Sequence, residues 1–129
     1  MSSNGMPIFK DGDFAKVIAE KAEVVAKCFF DENKASGVNK NTQIRKFYDE
    51  LVRLQQQAND AGIKKVLPSI YMVASKCAYA NGKKLVGSQF YNFIKGNVMA
   101  VENMEDMKNC ILFMEAVLCY YRMLNPNEN

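Results

Sequence analysis

The chain has 129 residues, of which 49% are hydrophobic and 24% are charged. This composition is typical of one folded domain and excludes a largely disordered chain. No run of about 18 apolar residues is present to span a membrane. Residues 1–5 also lack the cationic stretch and apolar run of a signal peptide. We therefore expect a cytoplasmic protein.

The chain contains no histidine, which bears on both catalysis and metal binding. Histidine is the usual general acid–base at neutral pH and the commonest nitrogen ligand of zinc. No glycine-rich phosphate-binding motif occurs. The cysteines form no C-x-x-C pair, and we expect all of them to be buried free thiols. They are Cys28, Cys77, Cys110 and Cys119. The sequence thus predicts that the protein is not an enzyme and needs no metal or cofactor.

Apolar residues recur at helical spacing along the chain, and no strand-like alternation persists. The pattern predicts a first helix at about 13–31, followed by a loop at about 33–41. A second helix is predicted at about 42–60, where apolar and polar residues lie on opposite arcs. Gly62 is expected to end this helix.

The second half of the chain predicts three more helices. One covers about 67–81 and has Pro68 in its first turn, where proline is tolerated. Another covers about 86–102, and the last covers about 105–124. This last helix has apolar residues almost all round, so we expect it to be the central helix of the bundle.

The predicted fold class is therefore all-α, a compact bundle of about five helices. We expect a single domain over residues 1–129. Residues 1–12 and 125–129 are expected to be flexible ends, because they carry no helical pattern.

Basic residues are concentrated in the middle of the chain. Residues 34–97 hold eleven basic and three acidic residues, a net charge of +8. Residues 1–33 and 98–129 carry net charges of −2 and −3. A basic centre between acidic flanks favours a polyanionic partner for one part of the surface.

Helix geometry selects the candidate contacts within this basic segment. Residues seven apart lie two turns apart on one side of a helix, which places Lys46 and Arg53 together and Lys76 and Lys83 together. Lys84 follows directly. Met72 and Tyr79 share the side of Lys76 and Lys83, where Tyr79 could stack on a base. The favoured interpretation, however, is that Met72 and Tyr79 pack against a neighbouring helix.

Glu115 lies in the most apolar predicted helix, and a buried carboxylate needs a partner. We expect a structural ion pair with Arg122, two turns further on, or with Arg45. The favoured interpretation is the pair of Glu115 and Arg122.

Three short segments carry a family resemblance: TQIRKF at 42–47, AYANGK at 78–83 and FMEAV at 113–117. In this order and spacing, the chain resembles the small subunit of the type III-A CRISPR interference complex, the Csm complex. The resemblance covers about residues 42–123. Residues 13–41 carry no motif that matches the family.

The resemblance implies a compact helical bundle without catalytic activity. It also implies that several copies line up beside other Csm subunits and help to form the channel for guide RNA and target RNA. By position, it assigns RNA contacts to Arg45, Lys46 and Lys83, whereas Arg53, Lys76 and Lys84 come from helix geometry. The family pattern has an arginine where this chain has Lys83, and lysine lacks the bidentate fork.

Two other classes of function fit parts of the pattern. A protein-interaction adaptor would use the basic face for an acidic protein partner and would have no nucleic-acid role. A membrane-surface module is disfavoured, because no predicted helix combines a basic face with an exposed bulky apolar face.

Overall fold

A computed structural model describes residues 5–126 of the chain. It contains five helices: α1 (Phe14–Ser36), α2 (Asn41–Ala61), α3 (Ile63–Gly82), α4 (Ser88–Met99) and α5 (Met104–Leu124). Residues 5–126 hold no strand. The predicted all-α bundle of about five helices is confirmed, and one hydrophobic core serves all of them.

The five helices form a closed ring around this core. In order round the ring, α1 packs on α5, α5 on α2, α2 on α3 and α3 on α4, while a thinner contact between α4 and α1 completes the circle. Each helix turns one apolar stripe inward, as α2 does with Ile44, Leu51 and Leu54. Side chains rather than a helix therefore fill the centre.

The prediction that the last helix is central was wrong. On α5, an outward stripe at heptad spacing is exposed to solvent and includes Leu112, Glu115 and Cys119. Leu112 is 40% exposed. Because apolar residues also occur in the outward stripe, the sequence pattern looked apolar all round, although only one side of α5 is buried.

Edge-to-face aromatic pairs link three of the helices across the core. The ring of Phe29 on α1 meets the rings of Phe90 and Phe93 on α4 edge-on, with centroids 5.1 and 5.5 Å apart. Phe93 in turn meets Phe113 on α5 at 5.3 Å. Edge-to-face pairs stabilise the fold beyond the burial of their apolar surface. They therefore strengthen the ring between α1 and α4, where the two backbones make the least contact.

The end of α1 and the start of α3 differ from the prediction, for reasons of backbone geometry and burial. The first helix continues to Ser36, where Gly37 ends it in a left-handed conformation with φ of 75°. Gly62 alone joins α2 to α3, with φ of 95°. The third helix starts early because Val66 enters the core. Pro68 consequently lies inside α3, beyond its first turn.

The fourth helix is shorter than predicted. It covers Ser88–Met99 rather than about 86–102. Val86 and Val101 are both fully buried, but they lie in the segments on either side of the helix. The predicted helix included both residues, because a buried apolar residue looks the same in the sequence whether it lies inside a helix or just outside it.

A buried asparagine joins four parts of the ring. Asn39, in the loop between α1 and α2, is fully buried. Its side-chain Nδ2 donates to the carbonyl oxygen of Phe29 at 3.1 Å and to Oε1 of Glu32 at 3.0 Å. Its Oδ1 accepts from the N–H of Gly87 at 2.8 Å. Its backbone carbonyl oxygen accepts from the hydroxyl of Tyr121 on α5.

Glu32 extends this network to the start of α4. The residue before α4 is Gly87, which has no side chain to cap the helix. Oε2 of Glu32 instead accepts from the N–H of Gln89 at 2.8 Å. A carboxylate at a helix N-terminus is favourable, so α1 supplies the cap that α4 lacks. A Cβ atom at position 87 would overlap the Glu32 carboxyl group.

The first described residues pack onto the bundle. Met6 and Phe9 are 6% and 2% exposed. The buried side chain of Asn97 on α4 accepts from the N–H of Phe9 at 2.9 Å and donates to the carbonyl oxygen of Pro7 at 3.1 Å. The expectation of a flexible end at 1–12 was therefore wrong for the part that enters the core. Residues 1–4 and 127–129 lie outside the described residues.

Replacing Gly87 by alanine tests the close packing of the Glu32 side chain against the residue before α4. The methyl group displaces the Glu32 carboxyl group, and we expect Gly87→Ala to lower the free energy of unfolding by roughly 1–3 kcal/mol, measured by urea denaturation. Gly82→Ala is the control, because a Cβ atom there meets nothing. It should leave stability unchanged or raise it by up to about 1 kcal/mol. Equal stability of the two variants would contradict the packing described.

Cysteine reactivity tests the burial of the thiols. The prediction that all four cysteines are buried holds for two of them. Cys77 and Cys110 are buried, which raises the pKa of each thiol to about 12. Cys119 is exposed and Cys28 is half-buried. In a colorimetric thiol assay near pH 8 we expect one fast thiol, because a thiol must be accessible and ionised to react. Cys119→Ser should remove that phase, and several fast thiols in the native chain would refute the burial.

Candidate nucleic-acid interface

The helices α2 and α3 form an antiparallel hairpin that carries most of the candidate residues. Gly62 is the only residue between them. Glu50 and Lys76 lie at similar distances from this turn, and they meet across the hairpin. The solvent-facing sides of α2 and α3 therefore run side by side.

Glu50 binds two of the predicted cations at once. Its Oε2 lies 2.7 Å from Nη2 of Arg53, its Oε1 accepts from Nε of Arg53 at 3.1 Å, and Nζ of Lys76 lies 3.2 Å from the same Oε2. The Arg53 contact is thus the bidentate fork typical of strong charge-assisted pairs. The structure brings Arg53 and Lys76 together, and it does so through a carboxylate.

The cations of this cluster are much more exposed than the carboxylate that holds them. The side chain of Glu50 is 22% exposed, against 52% for Arg53 and 56% for Lys76. The pKa of Glu50 is lowered, first by its hydrogen bond from Arg53 and next by Lys76, against the opposing effect of burial. Glu50 therefore stays ionised and positions both cations at the surface.

Lys46 and Lys83 lie toward the same end of the hairpin. Lys46 lies one turn before Glu50 on α2, and Lys83 lies two turns beyond Lys76 along α3. Because the two helices are antiparallel, both steps lead away from the turn and toward the same end of the hairpin. Nζ of Lys46 contacts Oε1 of Gln43 at 3.5 Å. Within residues 5–126 neither lysine forms an ion pair with a carboxylate.

Tyr79 and Met72 lie on the surface of α3. They are 67% and 52% exposed, so the interpretation that they pack against a neighbouring helix was wrong. The opposite side of α3 supplies its core residues, which include Val73 and Cys77. Nζ of Lys83 lies 5.2 Å from the centre of the Tyr79 ring. We call this surface the α2–α3 face: Lys46, Glu50, Arg53, Met72, Lys76, Tyr79 and Lys83.

Two predicted contacts, Arg45 and Lys84, lie elsewhere. Arg45 lies 3.6 Å from Asp49 and 5.5 Å from the Tyr48 ring, and it lines a groove between α2 and α5. Lys84 follows the end of α3 in a left-handed conformation, with φ of 62°, beside the cleft that Glu32 lines. The six predicted cations therefore do not form one patch.

The structure does not contain the ion pair expected between Glu115 and Arg122. Both side chains are exposed, so Glu115 is not the buried carboxylate that needed a partner. Glu115 instead accepts from the hydroxyl of Tyr48 at 3.4 Å. Burial, followed by the Glu115 carboxylate, raises the pKa of Tyr48. Among the ion pairs of residues 5–126, none joins Glu115 to Arg122 or Arg45.

Glu50 is the residue of this surface that sequence reasoning missed. In the sequence it is one of the three acidic residues of the basic segment, and no partner was predicted for it. Its spacing of three residues from Arg53 is a recognised pairing distance on a helix, so half of the arrangement was visible. The contact with Lys76 spans 26 residues and depends on how the two helices pack.

Two other features are missing from the part of the chain that the structure describes. None of its helices is long and apolar enough to cross a membrane. Across residues 5–126, no group of three or more cysteine, aspartate and glutamate side chains is arranged to hold a metal ion.

Together these features define a class: a small helical domain whose α2–α3 face displays four cations and two apolar side chains. The family model described as Csm2 Type III-A matches residues 13–127. The chain belongs to this family and is thus a small subunit of a type III-A CRISPR Csm complex. The match confirms the resemblance and extends it over α1. No curated protein and no solved structure matches the chain.

Glu50→Gln tests the cluster through stability. Because the folded state lowers the pKa of Glu50 below its ordinary value of 4.5, the ionised carboxylate stabilises the fold above that pH. We expect Glu50→Gln to lower the free energy of unfolding at pH 7 by about 0.5–1 kcal/mol. The difference from the unsubstituted chain should shrink as the pH falls below 4.5.

Asp49→Asn is the matched control for this experiment. Asp49 also pairs with an arginine on α2, but both side chains are more than half exposed. Such pairs contribute little, so its urea midpoint should stay at the original value. A pH-independent loss of stability in Glu50→Gln would contradict the role of the charge.

Proposed function

We propose that this chain is a non-catalytic structural subunit that contacts the backbone of guide RNA and target RNA through the cations of the α2–α3 face. Further copies of the chain and other Csm subunits lie beside it in the complex. The complex works in the cytoplasm, as part of antiviral defence.

The observation that carries this proposal is the exposure of four cations on the α2–α3 face. Lys46 and Lys83 are exposed and have no carboxylate partner in the described part of the chain, and Arg53 and Lys76 keep half of their side-chain surface in solvent. Lysine and arginine that neutralise phosphates supply most of the affinity of sequence-independent binding. Contacts of this kind position a strand without reading its bases.

The chemistry of the two buried cysteines agrees with a role without catalysis. The thiolate is the nucleophilic form of cysteine, and the pKa of Cys77 and of Cys110 is raised to about 12 by burial. The sequence has no histidine to act as a general base. A binding role agrees with both facts.

Apolar side chains outside the α2–α3 face support contacts with other proteins. Val24 on α1 and Met123 on α5 are 55% and 60% exposed, and Leu112 lies on the outward stripe of α5. Surfaces of this kind are available to neighbouring subunits, while the α2–α3 face remains available to RNA.

Replacing three cations together tests the RNA contact. The variant Lys46→Ala, Arg53→Ala, Lys83→Ala should bind a single-stranded RNA of about 20 nucleotides more weakly at low salt. Each lost phosphate contact should flatten the slope of log affinity against log salt by about 0.7, so the total change should approach 2. Fluorescence anisotropy over a salt series measures both quantities.

A triple alanine variant on α1 provides the control. Lys16, Lys21 and Lys27 are exposed and lie outside the α2–α3 face, so their replacement changes the net charge by the same amount. This control should keep the original salt slope. If both triple variants bind alike, the α2–α3 face is not the RNA contact.

The alternative function is a protein adaptor whose basic face binds an acidic protein. The binding of Glu50 to Arg53 and Lys76 shows that carboxylates suit these cations. A competition assay separates the two functions: unlabelled RNA should displace labelled RNA at a lower concentration than a polyglutamate of equal charge. The opposite order would favour the adaptor.

A further inference from the structure

One face of α3 alternates apolar side chains with cations. Met72, Lys76, Tyr79 and Lys83 follow one another at spacings of four, three and four residues, which keeps them on one side of the helix. All four are exposed. Tyr79 lies about 10 Å along the helix from Met72, and Lys83 lies as far from Lys76.

The exposure of Tyr79 is unusual for a large aromatic side chain in this chain. At 67% it is the most exposed of the large hydrophobic residues in the described region, whereas Tyr71 is half-buried and donates its hydroxyl to the carbonyl oxygen of Val101 at 2.7 Å. Leaving the Tyr79 ring in water forgoes the stabilisation that its burial would give. The fold itself does not use this ring.

The surroundings of the ring have the chemistry of a nucleotide site. Nζ of Lys83 lies 5.2 Å from the ring centre, and Lys76 lies one turn away on the same side. An aromatic ring can stack a base while adjacent cations hold the phosphates that flank it. Negatively charged strands complement these cations, whereas a purely apolar partner would have to desolvate both ammonium groups.

We propose that Tyr79, with Met72 two turns away on the same side of α3, is a stacking site for unpaired RNA bases. Lys76 and Lys83 bind the adjoining phosphates. This inference rests on the proposed function, and it adds that the α2–α3 face prefers single-stranded RNA to duplex RNA. The physical reason is that bases in a duplex are already stacked on one another and do not reach a side chain on the surface.

Two substitutions at position 79 test the stacking. With a labelled single-stranded oligouridine of about 20 nucleotides, Tyr79→Ala should bind about 5- to 100-fold more weakly than the unsubstituted chain. Tyr79→Phe retains the ring and should bind within about twofold of the unsubstituted chain. Neither should change the salt slope, because no cation is lost. Affinity for a hairpin duplex should be the same for all three chains.

Tyr91→Ala is the matched control. Tyr91 and Lys95 on α4 form another tyrosine–lysine pair at the same spacing, with Nζ 5.9 Å from the ring centre. Tyr91 lies outside the α2–α3 face, so its loss should leave RNA affinity unchanged. Urea denaturation of every variant checks that the compared chains are folded.

The outcomes separate this inference from the proposed function. If the triple cation variant loses affinity while Tyr79→Ala binds single strands like the unsubstituted chain, the RNA contact stands and base stacking is wrong. If the unsubstituted chain binds no RNA at low salt, both fall. If Tyr79→Ala loses only self-association, measured by sedimentation, the ring belongs to a protein interface and the inference is overturned.

Discussion

The ring of helices depends on the buried side chain of Asn39. Because this amide is fully buried, each of its polar atoms needs a partner inside the protein. It obtains them from α1 and from the segment before α4, while its backbone carbonyl oxygen receives the Tyr121 hydroxyl of α5. Glu32 continues the network to the N-terminus of α4. These hydrogen bonds lie where the backbones of α1 and α4 make the least contact, so they add directional contacts to the aromatic packing at this junction of the ring.

The closed ring leaves the α2–α3 hairpin to serve a second purpose. Its inward stripes supply core residues, while its outward sides carry charge. Glu50 shows how the two requirements meet: it is partly buried against the hairpin, and it holds Arg53 and Lys76 in a defined position. In the proposed function, an RNA phosphate competes with this carboxylate, which weakens the contacts of Arg53 and Lys76. Weak contacts suffice in this proposal, because several copies of the chain lie along one strand and linked sites reinforce each other.

In the proposed function, the residues that hold the ring together differ from those that contact RNA, although the pairs of Glu50 with Arg53 and Lys76 add modestly to stability. Replacement of Asn39, Glu32 or Gly87 acts on the ring, since these residues form the network between α1 and α4. The cations and the Tyr79 ring lie on the opposite side of their helices from the core, and the packed interior does not use them. This separation means that binding can be altered by substitution while the fold is retained.

The sequence by itself determined the helical class, the approximate positions of the helices and the family, since the period of an apolar stripe and short motifs are local properties. The stripe of α2 was predicted correctly because one turn of helix encodes which side is buried. Only the tertiary structure decided that no helix is central, that Tyr79 is exposed and that Glu50 reaches Lys76. These features depend on which helices become neighbours. Side-chain packing between segments that are distant in the sequence decides this, and the periodicity of a single segment does not reveal it.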